Sequence, residues 1–203
     1  MMKWKCTVCG YIYEGSMPPQ KCPICGVGPE KFVPVPEAAP GSMPPEKYKQ
    51  LEQLLFNASY GLYVVTSVDG NRQNGMLSNS FLQLSSDPLK ASVCLNKGTY
   101  TGELVQKSGV FGVSVLGQDN HDLVPRFGYQ SAHSGVDKFA GIDIIKGDVT
   151  GCPGVTSTLC FMELEVEQVV DVGTHNLFIG RLVGGKDFHK GEPMTYAYYR
   201  KTR

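Results

Sequence analysis

The chain has 203 residues, 41% of them hydrophobic, and its 19 Lys and Arg balance 19 Asp and Glu. That balance gives no electrostatic ground for a nucleic-acid partner. No apolar run is long enough for a signal peptide or a bilayer span, so no membrane role is expected and the chain reads as cytoplasmic. The length suits one medium domain plus a small one, and 24 Gly with 13 Pro favour a turn-rich β fold over a helical bundle.

Two cysteine pairs come first, Cys6-Thr7-Val8-Cys9 and Cys22-Pro23-Ile24-Cys25, with 12 residues between them. Two such knuckles make a tetrahedral sulfur site that suits zinc or iron. A reducing compartment argues against disulfides. Zinc would make the pairs a structural clip, and iron would make them a one-electron centre. Residues 1–36 are too few to build a sufficient core, so the metal must supply their stability. Gly10 and Gly26 follow the knuckles and allow turns that aim N–H groups at sulfur. Trp4, Tyr11, Tyr13 and Phe32 suffice for one thin apolar shell. Residues 37–45 are proline-rich and read as a linker, roughly 28 Å long if polyproline-like at about 3.1 Å per residue.

The second unit, 46–203, opens with a helix that places Tyr48, Leu51, Leu54 and Leu55 on one face. Strands are expected at 60–68, 72–77, 91–95, 110–116, 157–170 and 176–183, with a hairpin turn at Asp69-Gly70-Asn71. Helices are expected at 100–107 and 119–127. Many strands with few helices predict a closed barrel with helices at its edge. Cys94 and Cys160 lie in apolar strand-type runs and read as buried, inert thiols. Cys152 lies on a turn and is assigned no role.

Neither G-x-G-x-x-G nor the P-loop pattern occurs, so a nucleotide would be held some other way. Two polar segments offer one. Ser78-Asn79-Ser80 ends a strand, and its side chains suit a ring edge or a phosphate, or else a simple turn. Asn96-Lys97-Gly98-Thr99-Tyr100-Thr101 leaves a strand and enters a helix. It reads as a phosphate cradle, or as an ordinary N-cap by Thr99. Of the four histidines, His175 sits between two long strands and His133 in a polar loop, while His121 and His189 read as surface residues. No hydrolase constellation stands out.

Residues 1–36 resemble a rubredoxin through Trp4-Lys5-Cys6-x-x-Cys9-Gly10-Tyr11-x-Tyr13-Glu14-Gly15 and Cys22-Pro23-x-Cys25-Gly26. The short spacer resembles the form found in rubrerythrins. Residues 46–203 resemble the flavin reductase family, the FMN-binding split β-barrel. The matching segments are 74–81, Ser86-Asp87-Pro88, Asn96-Lys97-x-Thr99-x-Thr101, Ser108-Gly109-x-Phe111-Gly112-Val113, Asp137-Lys138-Phe139 and His175-x-Leu177-Phe178-Ile179-Gly180.

These resemblances imply a mainly β protein and a homodimer with FMN near the subunit interface. Ser78, Asn79 and Ser80 would face the flavin, and Asn96, Lys97, Thr99 and Thr101 would hold its phosphate side. His175 matches the family histidine near the reactive face. Thr174 stands where an acidic residue often precedes that histidine, so the implied catalytic role is positioning. One iron ion is implied at Cys6, Cys9, Cys22 and Cys25, with zinc as a mis-loaded substitute. The combination is similar to the high-molecular-weight rubredoxins of anaerobes. It implies an oxidoreductase path from NAD(P)H, or from an NAD(P)H-dependent reductase, through FMN and iron to a partner such as a flavodiiron protein that reduces oxygen or nitric oxide. The alternatives are an electron carrier reduced only by a separate reductase, and a zinc-stapled interaction module.

Overall fold

The computed structural model describes residues 2–35, 43–55 and 57–203. Most of the predicted linker, 37–45, lies outside the described residues. The mainly β expectation holds. No described helix is long and apolar enough to cross a membrane.

Three strands form the first sheet: β1 (Met2–Cys6), β2 (Ile12–Gly15) and β3 (Phe32–Pro34), ordered β2-β1-β3. Its buried set is Cys6, Cys22, Cys25, Val27 and Phe32, flanked by Trp4, Val8, Cys9, Tyr11 and Tyr13. Three of the five buried residues are cysteines, so this unit has a sulfur core with an aromatic rim.

The helix α1 (Pro45–Leu55) follows. Its apolar stripe is present, yet Tyr48, Leu51, Leu54 and Leu55 are all exposed, at 41–63%. The remaining elements build one large sheet and its cover. The strands are β4 (Tyr63–Asp69), β5 (Arg72–Ser78), β6 (Leu82–Ser86), β7 (Leu89–Asn96), β8 (Val110–Val115), β9 (Ile144–Lys146), β10 (Pro153–Val155), β11 (Cys160–Asp171) and β12 (His175–Asp187). The helices are α2 (Tyr100–Ser108), α3 (Leu123–Gly128) and α4 (Tyr196–Thr202).

Seven strands pair antiparallel in the order β5-β4-β8-β11-β12-β7-β6. Central strands are buried on both faces. Val64 of β4 joins Leu116, Leu123, Phe127 and Tyr199 beneath α3 and α4, while its neighbour Val65 joins Val93, Phe111, Val113, Leu164 and Phe178 on the other side. The alternation follows from the two-residue period of a strand.

The predicted closed barrel is open at one seam. β5 and β6 are consecutive in the chain but lie at opposite edges of the sheet, and no ladder joins them. Residues 79–81 carry the chain across. Ser80 explains why pairing is not needed there. Its Oγ donates to the Cys94 carbonyl (2.8 Å) and accepts from the Cys94 N–H (3.1 Å), standing in for a strand partner of β7.

Other expectations shift. α3 begins at Leu123, not near 119, because Asn120 holds the preceding residues as a turn. Asn120 accepts from the Gly117 N–H (2.8 Å) and donates to the Ser157 carbonyl (3.0 Å). α4 was not foreseen; Thr195 caps it by accepting from the Tyr198 N–H at 3.1 Å. Cys94 and Cys160 are only half-buried, because one faces the seam and the other begins β11. Cys152 is the fully buried thiol, and burial pushes it up to about 11.

Phe161 is 1% exposed and fills space that Gly112 and Gly154 leave open. Phe161→Ala is expected to destabilise the large unit by about 3–5 kcal/mol, read as a lowered urea midpoint at unchanged m.

Candidate functional site

The four cysteine sulfurs lie within 4.8 Å of one another. Cys6 and Cys25 Sγ are 3.6 Å apart, and Cys9 and Cys22 Sγ 3.5 Å. A regular tetrahedron with ~2.3 Å metal–sulfur bonds has edges of about 3.8 Å, so the set fits one tetrahedral ion. The two knuckles repeat one design. Gly10 (φ 77°) and Gly26 (φ 75°) turn the chain, and their N–H groups close onto Cys6 and Cys22 carbonyls at 2.9 Å each. Beyond each turn a backbone N–H, from Tyr11 or Val27, reaches Cys9 or Cys25 sulfur. Burial pushes the Cys9 thiol up to about 12 and Cys25 upward as well. For Cys22 burial acts the same way, but N–H groups of Cys25 and Ile24 outweigh it. Thiols so buried need a cation to ionise together, which is what a metal supplies.

Beside this cluster lies a cavity of about 990 Å³. That is the upper end of the ~300–1,000 Å³ usual for ligand sites. One wall comes from the large unit and includes Ser78, Asn79, Ser80, Asn96, Lys97, Thr99 and His175. The facing wall is the first knuckle, from Lys5 to Gly10, with Glu30, Lys31 and Val33. Both walls belong to one chain.

The register brings the large-unit residues together. Ser78 ends β5, and His175 at the start of β12 pairs with Asn96 at the end of β7. Ser78 and Ser80 hydroxyls are 2.9 Å apart, and Ser78 Oγ accepts from the Ser80 N–H at 3.2 Å. Asn79 is exposed to the cavity. Asn96 Oδ1 accepts from the Gly98 N–H at 2.9 Å. Thr99 caps α2 by accepting from the Gly102 N–H (3.2 Å) and donating to the Asn96 carbonyl (2.7 Å). The N-cap reading of Thr99 is therefore realised in the same segment that lines the cavity. Lys97 Nζ pairs with Asp171 Oδ1 at 2.7 Å, and that ammonium lowers the Asp171 carboxyl. His175 Nδ1 and Thr174 Oγ1 are 2.8 Å apart. Burial first, and Lys5 second, lower His175 below the ordinary 6.5, so its ring is neutral at pH 7.

Thr101 stands apart from the other predicted residues. It is fully buried, accepts from Asn74 Nδ2 at 2.9 Å, and lines a smaller adjoining cavity of about 200 Å³. That cavity also holds Cys9, Tyr100, Ser131 and Lys138. Sequence reasoning assigned no role to Lys138, although it lies in the Asp137-Lys138-Phe139 segment. Its Nζ donates to the carbonyls of Gly75 (3.0 Å) and Phe127 (3.3 Å), and burial pulls it down to about 8. Sequence reasoning also missed His133. Its Nε2 is buried without a hydrogen-bond partner among the described residues and lies 3.8 Å from Glu103 Oε1.

Two family models match: "Flavin reductase like domain" over residues 55–203, and "Rubrerythrin, rubredoxin-like domain" over residues 4–33. A high molecular weight rubredoxin of Moorella thermoacetica is 39% identical over 73% of this chain. The match spans 65% of that relative, just under two thirds of its length. A ferric-chelate reductase (NAD(P)H) of Archaeoglobus fulgidus is 40% identical over 72% of this chain and 87% of its own. The fold matches that of the Streptomyces globisporus NADH:FAD oxidoreductase SgcE6, with a TM-score of 0.70 at 24% identity, covering 83% of this chain and 96% of that one.

Because Lys5 opposes protonation of His175, Lys5→Ala is expected to raise the His175 midpoint toward 6.5. An NMR pH titration of the imidazole checks this, and an unchanged midpoint would remove Lys5 from the site.

Proposed function

From the premise that the chain belongs to the flavin reductase-like family and carries a rubrerythrin-type rubredoxin domain ahead of it, we propose that it passes electrons from NAD(P)H through FMN to an Fe(Cys)4 centre and on to a redox partner. Residues 1–36 form the one-electron unit, 46–203 the flavin unit, and 37–45 the tether. The observation that carries this reading is the shared cavity, whose opposite walls hold Ser78–Ser80 and the metal ligands Cys6 and Cys9.

A bound flavin supplies two-electron acceptance from a hydride donor and one-electron release, which matches an iron centre that takes one electron at a time. The chain's own groups suit FMN. Asn79 and Ser78 offer donors and acceptors to a ring edge. The N–H groups of Tyr100 and Thr101, with no acceptor among the described residues, stand at the N-terminus of α2 and suit a phosphate. Lys138 adds positive charge beside them. Lys97, paired with Asp171, offers a half-neutralised charge, and Thr99 shapes the turn. His175 is neutral and fixed through Nδ1, which leaves Nε2 to position what lies in the cavity.

NAD(P)H as the direct donor is supported by the name of the Archaeoglobus relative. A flavodiiron protein fits as the acceptor because a one-electron carrier suits stepwise reduction of oxygen or nitric oxide. A homodimer would cover the exposed leucines of α1 and of the edge strand β6, where Leu82 and Leu84 are 63% and 45% exposed.

Stopped-flow mixing of the flavin- and iron-loaded protein with NADH and with NADPH tests the path. Direct flavin reduction is expected with at least one of them, and its absence with both would assign the entry step to a separate reductase. Cys9→Ala is expected to leave flavin reduction within about twofold and to lower delivery to the acceptor at least a hundredfold. Delivery that survives Cys9→Ala would sink the route through iron. Leu82→Asp with Leu54→Asp is expected to yield a monomer by light scattering.

A further inference from the structure

The small unit approaches the large one closely at Gly98, at Ser134 and at Glu103, and the two share a cavity. An added Cβ on Gly98 would lie 3.2 Å from Thr7 Oγ1 and 3.3 Å from Thr7 Cβ. On the same measure Gly26 lies 3.6 Å from Ser134 Cβ. Lys31 Nζ is 3.9 Å from Glu103 Oε1. Lys5 and His175 face the same cavity.

We propose that the small unit is a reversible lid over the flavin cavity of its own chain, closed for electron transfer to iron and lifted for hydride entry and for delivery to the partner. The proposal rests on the electron path above and adds its order of events.

Three observations support it. First, the knuckle forms the outer wall of the cavity, so whatever fills the cavity is covered on that side. A nicotinamide approaching a flavin from that side meets the knuckle first and needs the wall withdrawn. Second, Cys9 is the one metal ligand that is not buried, and in this pose it borders both cavities. The edge of the metal site that a partner would need is therefore turned inward. Third, the ion pair between the two units is weak. The Lys31–Glu103 pair is long and partly exposed, which makes docking easy to reverse.

The balance of electrons fits two positions. One NAD(P)H and two ferric ions give NAD(P)+, one proton released to solvent and two ferrous ions. Iron carries one electron per closure, so each hydride requires two closures. Each ferrous ion then returns to ferric by giving its electron to the one-electron acceptor while the lid is lifted.

A cross-link tests the pose. In flavin- and iron-loaded Thr7→Cys/Gly98→Cys protein, the Cβ atoms are close to the ~3.5–4.5 Å that a disulfide prefers. Oxidation is expected to join the two within one chain, giving monomer mass under denaturing, non-reducing conditions. Locked protein should be reduced by NAD(P)H at least tenfold more slowly than the same protein with the disulfide opened. Photoreduced flavin in the locked protein should still bleach the iron–thiolate band. A disulfide-linked dimer, or no disulfide, overturns docking within one chain. Equal NAD(P)H rates in locked and opened protein overturn the lid. Iron that photoreduced flavin fails to bleach in both forms overturns the electron path itself.

Charge exchange gives a second arm should the double cysteine variant not fold. Lys31→Glu or Glu103→Lys alone should speed hydride reduction roughly two- to fivefold and slow flavin-to-iron transfer by a similar factor. The two together should restore both rates. A simple loss of structure would slow both, and rates unmoved in the single variants overturn the latch.

Discussion

The seam between β5 and β6 is the feature on which the rest of the structure depends. A barrel of seven strands closes most cheaply by pairing its edges. Here the chain crosses the gap in three residues, and Ser80 bonds both backbone groups of Cys94 so that β7 is not left unsatisfied. That one hydroxyl makes an open seam tolerable, and the seam is the cavity. Because the neighbouring pairs are antiparallel, the end of β5, the end of β7 and the start of β12 arrive at the same rim. Polar side chains from three distant stretches of sequence therefore meet without any local motif.

Several of the titratable groups around the cavity are paired or have their charged form disfavoured. Lys97 is paired with Asp171, His175 is held neutral, and Lys138 is buried against two carbonyls with its affinity for a proton reduced. His133 is likewise pushed toward the neutral form, by burial and then by Lys31. The cysteine cluster, once it holds a metal, would add negative charge beside Glu30 on the small-unit wall. Lys138, whose proton the Cys25 sulfur helps to hold, lines the small cavity that Cys9 also borders.

Legibility in the sequence followed physical locality. The four-cysteine cluster was readable because C-x2-C spacing, the two glycines and the aromatic rim are all local requirements of a site that could hold one ion. The central strands were readable because Val64, Val65, Phe111 and Val113 are apolar in runs that only a two-sided core explains. The seam was not readable: Ser80 is as consistent with a turn as with a bridge, and only the position of Cys94 decides. β6 was missed because its leucines face outward, and α4 because Tyr196-Ala197-Tyr198-Tyr199 carries no helical period. Thr101 was grouped with Lys97 and Thr99 by sequence, but helical geometry turns it inward to Asn74. The cavity wall supplied by the small unit was beyond reach, since nothing in residues 5–10 encodes what they will face.

The small unit makes stability and reactivity inseparable. A conventional core of aliphatic side chains would place a metal either deep inside or on a loop at its surface. In this unit the ligands are themselves the core: Cys6, Cys22 and Cys25 are buried together with Val27 and Phe32, and little else lies beneath them. With only 12 residues between the pairs, no further segment is available to cover Cys9. The half-buried Cys9 is thus a consequence of size, not an added device. Tyr100, Ser131 and Ala132 of the large unit border the same small cavity as Cys9 and complete the shell that the short spacer omits. Cover drawn from the neighbouring unit takes the place of a longer loop within the small unit itself.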